Sequence, residues 1–232
     1  MKKRDFTEEI AFWDNTLAPN NRHPWMKLVL NPETRKDKFP PFFLDYITKI
    51  KERSKCQRVK VLDIGAGPLS PLGWGVDQNL FDLVAIDPLA EEYSKILNKY
   101  NISFPVKPIE CSGEELTTIF DENSFDIVYC RNALDHMDNP KLVINNIFTV
   151  LVNGGYFYLD SFNKEGTHEK WSGLHQHDLF IKKGKLIHSD KRGNKTNLTS
   201  NLKFVCVYQW QAGVNPGEWF KIIFQKESII KG

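Results

Sequence analysis

The strongest constraint on this chain is the stretch Val59-Lys60-Val61-Leu62-Asp63-Ile64-Gly65-Ala66-Gly67-Pro68. A short β-branched run ends in an acid, and a Gly-x-Gly turn follows at once. Such a run reads as a buried parallel strand, and such a turn as a place where backbone comes close to a ligand. A second run, Phe81-Asp82-Leu83-Val84-Ala85-Ile86, ends in Asp87, twenty residues after Gly67. That spacing puts a carboxylate at the tip of the neighbouring strand, within reach of a ribose held on the glycine turn. Asp87 before Pro88 also suits a helix N-cap.

The rest of the chain repeats this strand–helix rhythm. Strands are expected at about 59–63, 82–87, 104–109, 125–130 and 155–160. Helices are expected at about 71–79, 89–99, 113–120 and 139–150. Alternation with short connections predicts an α/β fold with a doubly wound, mostly parallel sheet, whose ligands sit beyond the carboxyl ends of the strands. Four strand ends therefore converge on one crevice: Asp63, Asp87, the Ile109–Glu114 segment, and Cys130-Arg131-Asn132. Residues 1–57 read as an N-terminal helical cap. Phe6, Ile10, Trp13 and Leu17 share one helical face, a short helix is expected from Pro24 to Leu30, and Phe43, Ile47 and Ile50 point inward from another. Residues 58–160 form the nucleoside-binding core. In the insert 161–202, Asp178–Ile181 and Lys185–His188 flank Lys182-Lys183-Gly184 as a β-hairpin, and Asp190–Asn201 reads as an exposed loop. In 203–232, two strands near 204–210 and 219–224 are too closely linked for a crossover helix and should pair antiparallel.

Composition narrows the function. At 232 residues the chain suits one α/β domain with an appendage. A net charge of +2 argues against a dedicated nucleic-acid binder. No apolar run approaches the length of a membrane span, and the charged start Met1–Arg4 is followed by no signal-like apolar segment. Cys56, Cys111, Cys130 and Cys206 form no Cys-x-x-Cys pair, which fits a reducing cytoplasm without a metal or disulfide framework.

The core resembles a class I S-adenosylmethionine-dependent methyltransferase. Val61–Gly67 looks like the family's first motif, Asp87 like the acid that holds both ribose hydroxyls, and Ser124–Asn132 like the fourth-strand motif. Val152-Asn153-Gly154-Gly155-Tyr156 looks like the turn into the fifth strand, and the terminal hairpin supplies the family's antiparallel strand. The resemblance implies a Rossmann-like seven-stranded sheet and S-adenosylmethionine as cofactor, with S-adenosylhomocysteine as product. It implies a cofactor site drawn from Asp63, Gly65, Ala66, Gly67, Asp87, Pro88, Ser112, Gly113, Glu114, Arg131 and Asn132. Many relatives carry an Asp where this chain has Ser112, which moves adenine recognition toward the backbone of Gly113 and Glu114. The cofactor's carboxylate and amine would lie against the glycine turn, whose backbone N–H groups, with the start of the next helix, suit an anion. A dinucleotide dehydrogenase is the rival enzyme, but it would prefer a third glycine where Ser70 stands. A non-catalytic adenosylmethionine-binding protein is a further alternative.

A narrower resemblance joins Asp63–Ser70 with Arg131-Asn132-Ala133-Leu134-Asp135-His136. This pairing is similar to bacterial methyltransferases of small molecules and surface-polysaccharide precursors, and it implies a small acceptor such as a sugar or phosphorylated precursor. An anionic group such as a phosphate or phosphoramidate would match the basic residues of the cap. An oxygen acceptor needs a base, and His136, His175 and His177 are the candidates. His175 and His177 are spaced like alternate strand positions, so both could face one ligand. No third metal ligand stands at motif spacing, so no metal is expected. Trp13, Arg22, His23, Asp135 and Trp171 are the candidate acceptor contacts. The aromatics Phe12, Trp13, Trp25 and Trp171 read either as packing or as a lid that excludes water. The basic residues of the cap and insert read either as a solvated face or as an anion-binding rim.

Overall fold

The computed structural model describes residues 5–55 and 58–227. Cys56, the charged start Met1–Arg4 and the end 228–232 lie outside the described residues. Seven strands form the main sheet: β1 (Lys60–Ile64), β2 (Asp82–Asp87), β3 (Ile109–Glu110), β4 (Phe125–Arg131), β5 (Leu151–Phe162), β9 (Phe204–Gln211) and β10 (Trp219–Lys226). Their order is β3-β2-β1-β4-β5-β10-β9. The β3, β2, β1, β4 and β5 pairings are parallel, and β10 runs antiparallel to both β5 and β9. This is the expected α/β architecture, with a single reversed strand.

Each face of the sheet carries its own apolar layer. On one face, α3 (Phe43–Ser54) lays Phe43, Ile47 and Ile50 on Val59, Val61, Ile127 and Tyr158. On the other, α7 (Pro140–Val150) buries Val143, Ile144 and Ile147 against Leu62, Val128 and Leu159. A third cluster joins α1 (Thr7–Leu17) and α2 (Pro24–Leu30) to α5 (Ala90–Lys99). Leu17, Met26 and Val29 meet Ala66, Leu69, Tyr93 and Ile96 there. The N-terminal segment therefore divides, with α3 part of the sheet's layer and α1 and α2 set over the glycine-turn end. The short helices α4 (Gly73–Asp77) and α6 (Leu116–Ile119) complete the crossovers.

The third strand is far shorter than the expected 104–109. Pro105 and Pro108 remove backbone donors from that segment, so only Ile109 and Glu110 pair with β2. Phe104 and Val106 are still buried, packed outside the ladder. The hairpin of β6 (Asp178–Lys182) and β7 (Lys185–Ser189) is present. The loop expected at Asp190–Asn201 contains a third strand, β8 (Lys195–Asn197), followed by buried Leu198 and Thr199. Leu179, Ile181, Leu186 and Leu198 join the α7-side core, so the insert is packed down on it. No helix among the described residues is long and apolar enough to cross a membrane.

One buried cation braces the α2 end of the fold. Arg35 is 3% exposed. It donates to the carbonyls of Val29 at 2.7 Å and Leu30 at 3.2 Å, pairs with Asp77, and lies over Phe104. Arg35→Ala leaves those carbonyls and Asp77 without their donor. Because Asp77 is partly solvated, the expected loss is about 2–3 kcal/mol, below that of a fully buried pair. Urea unfolding checks this, and a loss below roughly 0.5 kcal/mol, the range of a neutral surface change, would contradict it.

Candidate active site

The site is built on the turn after β1. Gly65 has φ +65° and Gly67 φ +58°, a region that favours glycine. A Cβ on Gly65 would lie 2.3 Å from the Cβ of Ala133, so the turn sits directly against the segment after β4. A Cβ on Gly67 would project into space where the nearest atom belongs to the Trp13 ring, 3.7 Å away. The turn is stitched to the end of β2. The N–H groups of Gly65 and Ala66 both donate to the Ile86 carbonyl, at 3.0 and 3.1 Å. The Gly67 N–H donates to Asp87 Oδ2 at 3.0 Å. These three N–H groups are therefore engaged within the fold.

The two strand-end acids differ in their partners. Asp63 is 1% exposed and accepts from the Ser70 hydroxyl. Burial, with some help from the Asp87 charge, pushes its carboxyl up to about 7, against the Ser70 bond and Arg131. Ser70, at the position of a dehydrogenase's third glycine, is thus committed to Asp63. Asp87 accepts from Leu89 N–H at 2.9 Å as well as from Gly67. It braces the turn before α5, two residues short of an N-cap position. Burial raises it to about 6, although both N–H bonds favour the charged form. Pro88 is exposed beside it.

The β3 side is held by side chains. Ser112 caps the following 3₁₀ turn with Glu115 in a capping box, donating to Glu115 Oε2 at 2.9 Å. Asn146 of α7 donates to the carbonyls of Gly113 and Glu114, at 3.3 and 2.9 Å. The Glu114 carboxylate accepts from Asn139 N–H.

Beyond β4, side chains distant in sequence meet. His175 Nδ1 lies 2.9 Å from Asp135 Oδ2 and 3.0 Å from His136 Nε2, and His136 Nε2 lies 3.4 Å from Asp135 Oδ2. Glu165, at the start of α8 (Glu165–His168), brings Oε1 to 3.8 Å from His175 Nδ1 and accepts from Asn132 Nδ2 at 3.3 Å. Burial would lower His175, but the bond and charge of Asp135, with the charge of Glu165, outweigh it and hold it above the usual value. Burial and the Asp135 charge raise Glu165. His177 does not join this group. Residues 172–177 are not a strand, and His177 Nδ1 lies 2.8 Å from His188 Nε2 instead. Positive-φ bends at Trp171 (φ +60°) and Gly173 (φ +51°) lead into this irregular segment, so the alternation that sequence spacing presumed is absent. The expectation of no third metal ligand also changes: Asp135, His136 and His175 offer ligand atoms all within 4.8 Å of one another.

Arg131 leaves the end of β4 between Trp25 and Trp219, 5.2 and 5.1 Å from their ring centroids. Its guanidinium is 3.7 Å from Asp160, which also takes Lys221 at 2.9 Å. The other expected acceptor contacts have roles within the fold. Trp13 donates to Glu9 at 2.7 Å and meets Tyr93 edge-on. Arg22 donates to the Leu17 carbonyl, His23 caps α2 by accepting from Trp25 N–H, and Trp171 packs on Gly166. Sequence reasoning missed Glu165, Trp219, Lys221 and Asp160. Asp160, at the end of the fifth strand, was the most accessible signal.

Residues 62–159 match a family described as a methyltransferase domain. Over this core, less than half of the chain, the protein is similar to S-adenosylmethionine-dependent methyltransferases. Among curated relatives, the ubiquinone biosynthesis O-methyltransferase of Histophilus somni is 22% identical over 175 residues, 65% of this chain and 68% of that protein. The one from Idiomarina loihiensis is 26% identical over 145 residues, 55% and 58%. The mitochondrial one from Rattus norvegicus is 32% identical over 116 residues, 46% of this chain but only 31% of its own length. Two solved structures share the fold. A methyltransferase from Methanosarcina mazei has a TM-score of 0.54 at 17% identity, covering 82% of this chain and 99% of that one. The Burkholderia thailandensis 1,6-didemethyltoxoflavin-N1-methyltransferase, solved with its acceptor and S-adenosylhomocysteine, has 0.50 at 15%, covering 95% and 88%. The methyltransferase assignment sets aside the dehydrogenase alternative and makes S-adenosylmethionine the cofactor. The residues fit it: the side-chain-free face of Gly67 leaves a cradle beside Asp87, whose oxygens keep lone pairs for ribose hydroxyls.

This fit has a pH signature. A ribose diol donates to the ionised Asp87 and lowers its pKa, so binding is linked to proton release. Affinity for S-adenosylhomocysteine should rise with pH up to about 6, where Asp87 titrates, and level off above. Asp87→Asn should remove that slope and weaken binding by about 1.5–3 kcal/mol. Titration calorimetry across this range checks both, and a flat profile in the wild type would contradict the assignment.

Proposed function

We propose that this methyltransferase O-methylates a small, hydroxyl-bearing, anionic acceptor, in the cytoplasm. The observation that carries the reading is the contact of Gly65 with Ala133. It sets the cofactor turn against the short segment bearing Asp135 and His136, and so beside the Asp135–His136–His175–Glu165 cluster. The cofactor supplies an electrophilic methyl group. The protein's part is to hold the acceptor oxygen in line, keep water out and take up the hydroxyl proton. The cluster is the proton-accepting part of the site. For each turnover the methyl group passes from sulfur to oxygen and the hydroxyl proton passes to the cluster.

An anionic acceptor is favoured by charge. Arg131 and Lys221 are two cations facing one carboxylate, Asp160, so one positive charge of this trio is left for an anionic group. The indoles of Trp25 and Trp219 carry the Arg131 guanidinium on their faces and so hold this cation at the end of β4. None of the relatives above is named for a polysaccharide precursor, so these cations, rather than that resemblance, set the acceptor class proposed. The free Cys111, Cys130 and Cys206 accord with a reducing compartment.

The test uses methyl-labelled S-adenosylmethionine with 3,4-dihydroxybenzoate, neutral catechol and glucose 1-phosphate, with products read by mass spectrometry. O-methylation of an anionic member is expected, with kcat/KM at least about tenfold above catechol, the value of one charge-assisted contact. Arg131→Ala should erase that preference while S-adenosylhomocysteine affinity stays within about threefold. Equal use of catechol, or preference unchanged by Arg131→Ala, would contradict the reading.

A further inference from the structure

The geometry points to a divalent metal site formed by Asp135, His136, His175 and Glu165, of a kind that takes a first-row transition ion such as Zn²⁺. Three atoms from three side chains crowd one spot: Asp135 Oδ2, His136 Nε2 and His175 Nδ1, mutually 2.9, 3.0 and 3.4 Å apart. Around an ion with bonds of about 2.0–2.1 Å in tetrahedral arrangement, neighbouring ligand atoms sit about 3.3 Å apart. A ring nitrogen has one in-plane lone pair or one N–H, so His175 Nδ1 makes one good hydrogen bond. It nevertheless has two partners at bonding distance on its free side. A shared ion gives all three atoms a common partner.

The buried carboxylates supply an independent sign. Asp135 is 1% exposed and Glu165 5%. Asp135 Oδ1 and Glu165 Oε2 are buried without a hydrogen-bond partner. A buried carboxylate oxygen with no partner is costly, and a cation beside it removes the cost. Glu165 Oε1, 3.8 Å from His175 Nδ1, is placed to become the fourth ligand. Two imidazoles with carboxylates favour Zn²⁺, Fe²⁺ or Mn²⁺ over Mg²⁺, which prefers oxygen ligands throughout. The ligands come from two segments about thirty to forty residues apart: Asp135 and His136 after β4, and Glu165 and His175 from the insert. Metal binding would therefore fasten the insert over the core. The site itself stands on these distances. Its use, binding the acceptor hydroxyl and easing its ionisation, rests on the methyl-transfer reading. With the ion bound, the hydroxyl proton leaves to solvent, because the histidines that would otherwise take it up are ligands.

The full-length chain, stripped with chelator, is titrated with Zn²⁺ and separately with Mg²⁺ by calorimetry, and loaded with Co²⁺ for visible spectroscopy. The expectation is one Zn²⁺ per chain, bound at least about 100-fold more tightly than Mg²⁺, and ligand-field bands with Co²⁺. His175→Ala and His136→Ala should each weaken Zn²⁺ binding by about 100-fold or more, while His177→Ala, in the neighbouring histidine pair, changes it less than about threefold. Absence of stoichiometric Zn²⁺ binding and of Co²⁺ bands in the wild type would overturn the site. So would unchanged binding in both His136→Ala and His175→Ala. S-adenosylhomocysteine is titrated into the same samples. Its failure to bind would sink the methyl-transfer reading and leave the metal result standing, and the reverse holds equally.

Discussion

The structure depends on one junction: the turn Gly65-Ala66-Gly67 clamped between the ends of β2 and β4. Three successive N–H groups reach the β2 end, two to Ile86 and one to Asp87. The opposite side of the turn is filled by Ala133, which fits only because Gly65 lacks a side chain. The clamp fixes Asp87 beside the cofactor cradle. It also fixes the start of the segment that carries Asp135 and His136. Donor half and acceptor half thus share one rigid element.

Electrostatics separates those halves. On the donor side, Asp63 and Asp87 are carboxyls raised by burial, one satisfied by Ser70 and the other by backbone. At the ends of β4 and β5, Arg131 and Lys221 face Asp160, and beyond them Asp135 and His136 meet His175 and Glu165 of the insert. A polar cluster with unpartnered oxygens is costly in the interior of a protein. Sites that retain such a cost are where function is concentrated.

Local pattern and topology made the donor half legible from residues alone. Strand runs at β1 and β2, the glycine turn and Asp87 all declare themselves within thirty residues, the β4 run follows at Phe125–Arg131, and alternation dictates their order. The acceptor half is tertiary. His175 reaches His136 across 39 residues, through bends at Trp171 and Gly173 that no periodicity announces. The sequence spacing that coupled His175 to His177 presumed a strand, and the strand begins one residue later, at Asp178. Pro105 and Pro108 could have warned that β3 would be short. The polar run Lys195-Thr196-Asn197 hid an edge strand because its pairing is with backbone alone on one side.

The central claim is that the Gly65–Gly67 turn and Asp87 form a nucleoside site for S-adenosylmethionine. Its most direct test is calorimetric titration of the wild-type chain with S-adenosylhomocysteine and, separately, with NADH. The account predicts saturable one-to-one binding of S-adenosylhomocysteine and none of NADH at comparable concentration. Saturable NADH binding with no response to S-adenosylhomocysteine would contradict it.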